Sequence, residues 1–339
     1  DVYKRQLSLL CMAMAIVMIS GGIDLSIGAI FGLCNIAAIT MLTLVGMPGL
    51  IVAACTIALG AALGSVNGVI VAYLKARPFL TTLVTLIIFK GVLNLLDLKY
   101  SAKTATAFVI DPTWDWLGTG KIAGIPFSFV ILVIVLMVGH VLLSRSRIGW
   151  HITAVGASRK AARHAGIPVE RILLLSYVLS GALGGLAGVF YASRLGSASA
   201  HVGGGLELTV LTAVILGGIS LQGGRGTVWR AFIGAATISL LGKGLLLMNL
   251  GGEVLQMVLA GVLILAVSLD TKWAKHRGKA IQKSYVNPIV VDYGPLADTR
   301  PGSGSPFEVN RALVKAEAIG EGTVEGPEDV IVDSQGRVY

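Results

Sequence analysis

Residues 18–32, MISGGIDLSIGAIFG, place an aspartate, Asp24, inside an otherwise apolar run. An ionised carboxylate in an apolar environment costs several kcal/mol unless it is paired or hydrogen-bonded. The run continues as AIFGLCNIAAITMLTLV with no further charge, so the acid stands at the head of a membrane-length segment. Asp24 follows the pair Gly21–Gly22 and precedes helix-forming sequence, which is the layout of a helix N-terminus. There its carboxylate is expected to accept the free N–H of Ser26 or Ile27, with help from the helix dipole. A direct part for Asp24 and Ser26 in solute passage is the second reading of the same stretch.

The rest of the chain has the same character. Of the 339 residues, 55% are hydrophobic and 13% charged, and mean hydropathy is +0.81. Soluble domains carry about 25% charged residues. Apolar runs fall at 7–20, 26–45, 50–73, 79–96, 127–143, 172–193, 207–221, 228–250 and 254–270. These predict an all-α polytopic membrane protein of about nine hydrophobic helices or half-helices. Several runs are shorter than the roughly 20 residues that cross a bilayer, as in transporters whose broken helices line a cavity.

The net charge of +9 does not point to nucleic acid, because no basic patch is interleaved with aromatic residues. Residues 1–272 hold 19 Lys/Arg against 9 Asp/Glu, the bias that cytoplasmic loops of membrane proteins carry. Segment 144–171 alone has six Lys/Arg and one acid, and is therefore assigned to the cytoplasm. Alternation then puts 97–126 outside, Lys75 and Arg77 inside, and the basic stretch 271–279 inside. Cys11, Cys34 and Cys55 lie in apolar runs without metal-ligand spacing and read as packing residues.

No catalytic signature is present in the membrane part. HExxH, GxSxG and the Walker A pattern are absent, so any ATP-driven step needs another chain. The run GGISLQGGRG (217–226), with Gly223, Gly224 and Arg225, reads as a tight turn between helices rather than a phosphate loop. Within 144–171, Ser158 is placed to cap a short helix that stops at Gly166-Ile167-Pro168. That helix reads either as a basic face toward anionic lipid or as a docking element for a soluble partner. Beyond residue 272 the composition shifts: 273–315 reads as a cytoplasmic linker rich in Pro, Gly and Ser. Residues 316–339 read as a β-hairpin opening a soluble domain. The chain starts without Met, and both ends read as cuts.

Six ordered stretches carry a resemblance: GGIDLSIG (21–28), NGVIVAYLKARPFLTTLVTL (67–86), RIGWHITAVGASRKAARHAGI (147–167), YVLSGALGGLAGVFYASRLGSA (177–198), GLELTVLTAVILGGISLQGGRGT (205–227) and VLILAVSLD (262–270). Through them the chain resembles the permease subunits of bacterial ribose, xylose, galactoside and autoinducer-2 ABC importers, and more distantly branched-chain amino-acid permeases. The resemblance implies a non-enzymatic membrane subunit, with one further span ahead of residue 1. It also implies a separate ABC ATPase holding ATP and Mg²⁺, a periplasmic sugar-binding protein and a second permease chain, homo- or heterodimeric. The family's coupling motif maps onto Ser158, Lys160, Ala161, Ala162 and Gly166, with Lys160 where a glutamate often stands. Candidate pathway polars are Asn67, Thr81, Thr82, Thr85 and Asn94, with Glu207 expected near the outer mouth.

The tail EGTVEGPEDVIVDSQGRVY resembles the start of SMP-30/gluconolactonase or strictosidine-synthase-like β-propellers. That resemblance implies a divalent-metal ligand at Glu325 in an intact propeller, and no lactonase activity in so short a piece. Alternatives for the whole are a branched-chain amino-acid permease, an ion-coupled secondary transporter, and a membrane anchor for the C-terminal domain.

Overall fold

In a computed structural model of the chain, the described residues are 2–268, apart from 107–110, 198, 200, 251 and 253. The chain divides into two compact units, Asp1–Gly278 and Lys279–Tyr339. The linker expected at 273–315 and the hairpin and Glu325 expected within 316–339 lie outside the described residues.

The elements are α1 (Val2–Ile19), α2 (Ile27–Thr40, continued by a π-helical turn over Met41–Val45), α3 (Gly49–Ala72), α4 (Pro78–Thr106), α5 (Pro112–Thr119), β1 (Lys121–Ile122), β2 (Ile125–Pro126), α6 (Phe127–Arg145), α7 (Arg147–Ala157), α8 (Arg159–His164), α9 (Val169–Leu195), α10 (Leu206–Leu216), α11 (Val228–Leu247) and α12 (Val254–Ser268). Six of these helices are long and apolar enough to cross a membrane, and α10 and α12 are shorter apolar helices, as is Arg5–Ile19 of α1. The described residues are thus those of a multi-pass, mainly helical membrane protein. The two short strands pair antiparallel, Lys121 with Pro126 and Ile122 with Ile125, around Ala123–Gly124.

Two boundaries depart from the apolar runs for physical reasons. Helix α4 continues past residue 96 to Thr106, because Asp97, Lys99 and Lys103 end the hydropathy without ending the helix. Helix α10 stops at Leu216 rather than 221, where Gly218 turns the chain at φ +86°.

Hydrophobic burial cannot sort these helices, since lipid and core are both apolar; small residues do it instead. Helix α3 offers Gly60, Gly64 and Gly68 on one face, and α9 offers Gly181 and Gly185. A Cβ on Gly60 would lie 2.3 Å from the carbonyl oxygen of Gly181, and one on Gly64 would lie 2.3 Å from that of Tyr177. The two backbones are therefore in direct contact. Helices α1, α2 and α9 are the central elements: α1 is buried throughout Gln6–Ile19, and α2 and α9 are far more buried than α3, α4, α6 and α11.

The bundle has two distinct ends. At one, the carbonyl of Gly21 accepts from Arg159, the Arg163–Glu170 ion pair closes at 2.6 Å, and Lys75 lies within electrostatic reach of Glu170. At the other, Arg5 donates to Ser128, and Asp111 joins α5 to α3. Asp111 caps α5 by accepting N–H bonds from Thr113 and Trp114, and its second oxygen takes the N–H of Gly49 at 2.7 Å.

Hydrogen bonds from Thr113, Trp114 and Gly49 hold the Asp111 carboxyl down at about 2. Its folded pKa lies below the unfolded value of about 3.9. The cap therefore stabilises fully above about pH 4 and is lost as pH falls toward 2. We expect Asp111→Ala to cost about 1 kcal/mol in the detergent-solubilised protein at pH 7. Asp111→Asn should cost less, and the gap between wild type and Asp111→Ala should close on acidification, as followed by Trp fluorescence during thermal melting.

Candidate functional site: a carboxylate in a helix break

Residues 20–26 separate α1 from α2, and Asp24 sits in this break with no exposed surface. Gly21 has φ +81°, a conformation that favours glycine. Gly22 lies under Tyr177, whose hydroxyl would be 2.7 Å from an added Cβ. The Gly-Gly pair thus has two separate steric causes, a left-handed turn and a close approach.

Asp24 is not the N-cap that its sequence position predicts. Helix α2 starts at Ile27 with Ser26 at the cap position, and Asp24 reaches forward as a local turn. Its Oδ1 accepts the N–H of Ser26 at 3.1 Å and the Ser26 hydroxyl at 2.6 Å. Its Oδ2 accepts the hydroxyl of Ser180, on α9, at 2.9 Å. Ser26 Oγ in turn accepts from Asn67 Nδ2, on α3, at 2.7 Å. The proton order runs from Asn67 to Ser26 to Asp24, and from Ser180 to Asp24. Two residues thereby donate directly to the buried carboxyl, Ser26 and Ser180, and Asn67 of α3 supports Ser26 from behind.

The network lies deep in the bundle. Ser180 stands roughly 17 Å along α9 from Val169, in a helix of about 40 Å. Ile27 and Ile30 of α2 pack on Gly184 at the same depth. Helix α2 therefore begins partway along α9, and the shorter α10 begins beside it. Gly28 lies against Gly203 and Glu207, with 2.6 Å from its would-be Cβ to the Gly203 carbonyl oxygen and 2.8 Å to Glu207 Oε2. The first turns of α2 and α10 meet there.

The predicted site residues separate into groups. Gly21, Gly22, Asp24, Ser26 and Asn67 come together, and Thr82 joins them by donating to the Ile23 carbonyl at 2.9 Å. Thr81 and Thr85 are buried but bond back into α4, to Arg77 and Thr81. Asn94 lies on the exposed face of α4, away from the network. Glu207, half-buried in the first turn of α10, sits beside Gly28 of α2 after a loop that turns through Gly203 and Gly205. Its Oε2 is buried without a partner among the described residues, as are Asn67 Oδ1 and Tyr177 Oη.

Sequence reasoning missed Ser180 and Tyr177. Their only local signal was the small-residue face Ser176, Ser180, Gly181 and Gly184 within SYVLSGALGG (176–185). Next to Glu207, a cavity of about 140 Å³ is walled by Gln6, Phe31, Tyr191, His201 and Gly203. Phe31 and Tyr191 meet edge to face there, 5.3 Å between centroids.

The segment 144–171 forms α7 and α8. Ser158 caps α8 by accepting the Ala161 N–H at 3.2 Å. Lys160 and Ala161 are exposed, whereas Ala162 is buried and unavailable to a partner. Gly166 ends the segment at φ +75° with open space around it. Gly223 and Gly224, both with positive φ, form the turn between α10 and α11, and Arg225 is exposed on it. Among the described residues no group of three or more His, Cys, Asp or Glu is placed to hold a metal ion.

A bundle of membrane helices broken at mid-depth around a buried polar network defines a transport component. The chain belongs to the family described as branched-chain amino acid transport system / permease component, which matches residues 5–268. It is 35% identical over 265 residues to the ribose import permease protein RbsC of Escherichia coli (strain K12), covering 78% of this chain and 82% of that protein. It is 33% identical over 277 residues to the galactofuranose transporter permease protein YtfT of the same strain, covering 80% and 79%. It is 32% identical over 286 residues to the galactose/methyl galactoside import permease protein MglC of Salmonella typhimurium, covering 79% and 84%. The N-terminal region of strictosidine-synthase-like proteins matches residues 305–339. No solved structure matches the chain. These relatives are transporter subunits, and this chain is one rather than an enzyme.

Asp24→Asn retains an acceptor for Ser26 and presents an NH₂ that Ser180 Oγ accepts, so it should fold close to wild type. Asp24→Ala leaves the hydroxyls of Ser26 and Ser180 unpaired in the interior, at about 1–3 kcal/mol each. Thermal melting in detergent should separate the two variants clearly. Equal melting temperatures would show that the network does not hold the break.

Proposed function

We propose that the chain is the permease subunit of an ATP-driven importer of a monosaccharide or similar small polar solute in the bacterial inner membrane. The reading is carried by the relatives over about four-fifths of the chain, whose names specify ribose, galactofuranose and galactose/methyl galactoside. Among the described residues, counting the three shorter apolar helices with the six longer ones would give nine membrane elements, and an odd number of crossings would leave the C-terminus on the cytoplasmic side.

A separate ATPase, holding ATP and Mg²⁺, docks on the exposed face of α8. A periplasmic binding protein delivers the solute, and a second permease chain completes the pathway. The break at 20–26 is the hinge, since a segment between two helices absorbs rigid-body shifts most cheaply. Asn67 Oδ1 and Tyr177 Oη, buried beside it without partners, support a hydrogen-bonding role toward a hydroxyl-rich solute. In an intact C-terminal domain Glu325 would contribute to a divalent-metal site. Membership of the branched-chain amino acid transport family keeps a branched-chain amino acid as the second reading of the solute.

Proteoliposomes holding the permease, its ATPase and its binding protein should take up one of D-ribose, D-galactose or D-fructose only when ATP is supplied. Uptake of leucine instead would move the chain to the second reading. Uptake on an ion gradient without the ATPase would overturn the importer assignment.

The docking face carries its own expectation. Ala161→Glu and Gly166→Asp should insert normally yet reduce co-purification of the ATPase, because both alter the exposed side of the segment from α8 to Gly166. Unchanged recovery with both variants would remove α8 from the contact.

A further inference from the structure

The turn 217–226 has no task in the function described so far, yet it is built into the bundle backbone to backbone. Three stretches meet at one point: the end of α1 (Ile19–Gly21), the α7–α8 junction (Gly156–Arg159) and the turn residues Gly223–Gly224. A Cβ on Gly156 would stand 1.8 Å from the carbonyl oxygen of Ile19 and 2.6 Å from the Gly224 nitrogen. A Cβ on Gly224 would stand 2.7 Å from Ala157 Cα. Apart from Ala157 Cβ, the nearest atoms at these positions belong to the main chain. Two hydrogen bonds lock them, from Gly224 N–H to Ile19 O at 2.9 Å and from Arg159 Nη2 to Gly21 O at 3.2 Å.

We propose that Gly156, Arg159 and Gly224 are positioning residues that carry displacement of the ATPase-docking segment into the break holding Asp24. The proposal rests on the importer reading above. Close-packed contacts transmit displacement rather than absorb it. Arg159 is the first residue of α8, whose Lys160 and Ala161 face outward. It grips Gly21, at the start of the break. Gly22 then lies under Tyr177, and Asp24 is bonded across to Ser180 on α9. A shift of α8 therefore pulls on the main chain of the break directly, while the turn at Gly224 fixes the end of α1 as the fulcrum.

The test compares ATP hydrolysis with D-ribose uptake in the same proteoliposomes, or with D-galactose or D-fructose if the wild type prefers one of them. Arg159→Ala should leave ATPase co-purification and hydrolysis near wild type while solute moved per ATP falls by about tenfold, a common size for coupling between sites. Arg159→Lys, which still offers a donor to Gly21 O, should recover most of that loss. Gly156→Ala should uncouple more strongly; if it does not fold, the Ala and Lys variants at 159 carry the test alone.

Wild-type solute per ATP in Arg159→Ala would overturn the proposal. So would parallel loss of ATPase binding, which would make Arg159 a docking contact only. A wild-type complex with no ATP-dependent uptake of any of the three sugars would instead overturn the monosaccharide importer reading itself.

Discussion

A carboxylate without exposed surface, deep in a membrane bundle, is the constraint on which the remainder of the structure depends. Asp24 takes its hydrogen bonds from Ser26 and Ser180, and Asn67 in turn supports Ser26. Those residues lie on α2, α9 and α3, so the three helices must converge to within hydrogen-bond distance of one point. Convergence that close requires helices without side chains between them. Gly60 and Gly64 against Gly181 and the Tyr177 carbonyl supply it on α3 and α9. The glycine content, the break at 20–26 and the buried polar network are thus consequences of one another.

This view explains what was legible in the sequence. Long apolar runs marked the membrane helices because hydropathy is a one-dimensional property. Gly21–Gly22 before Asp24 marked the break for the same reason, since turn chemistry is local. The cap at Ser158 and the turn at Gly223–Gly224 were legible too, each being written in adjacent residues. The role of Asp24 was only half legible. Its bond to the Ser26 N–H is local, but the bond to Ser180 spans 156 positions in the chain. No local pattern announces such a partner.

The facing of the helices was the least legible property. A soluble helix reveals its buried side by hydrophobic periodicity, but a helix in lipid is apolar on every side. Asn94 was therefore grouped with Asn67 on residue type alone, and the structure separates them: one lies on the exposed face of α4, the other is buried in the network. Ala162, read as part of a docking motif, turned out to face the bundle, one turn along α8 from Arg159, which bonds inward to Gly21. In both cases the missing information was rotational phase, which small residues reveal only when their partner helix is known.

Helices α2 and α10 extend this reasoning to a second acid. Helix α2 begins just after Asp24, and α10 carries Glu207 in its first turn. The free N–H groups and the macrodipole make a helix N-terminus favourable for an acid. The first turns of α2 and α10 come together at Gly28 and Gly203, which brings that effect to one region of the bundle. A continuous helix through the same place would offer neither free N–H groups nor a dipole end. The turns at Gly21–Gly22 and Gly203–Gly205 are thus what place Asp24 and Glu207 at helix N-termini inside the bundle.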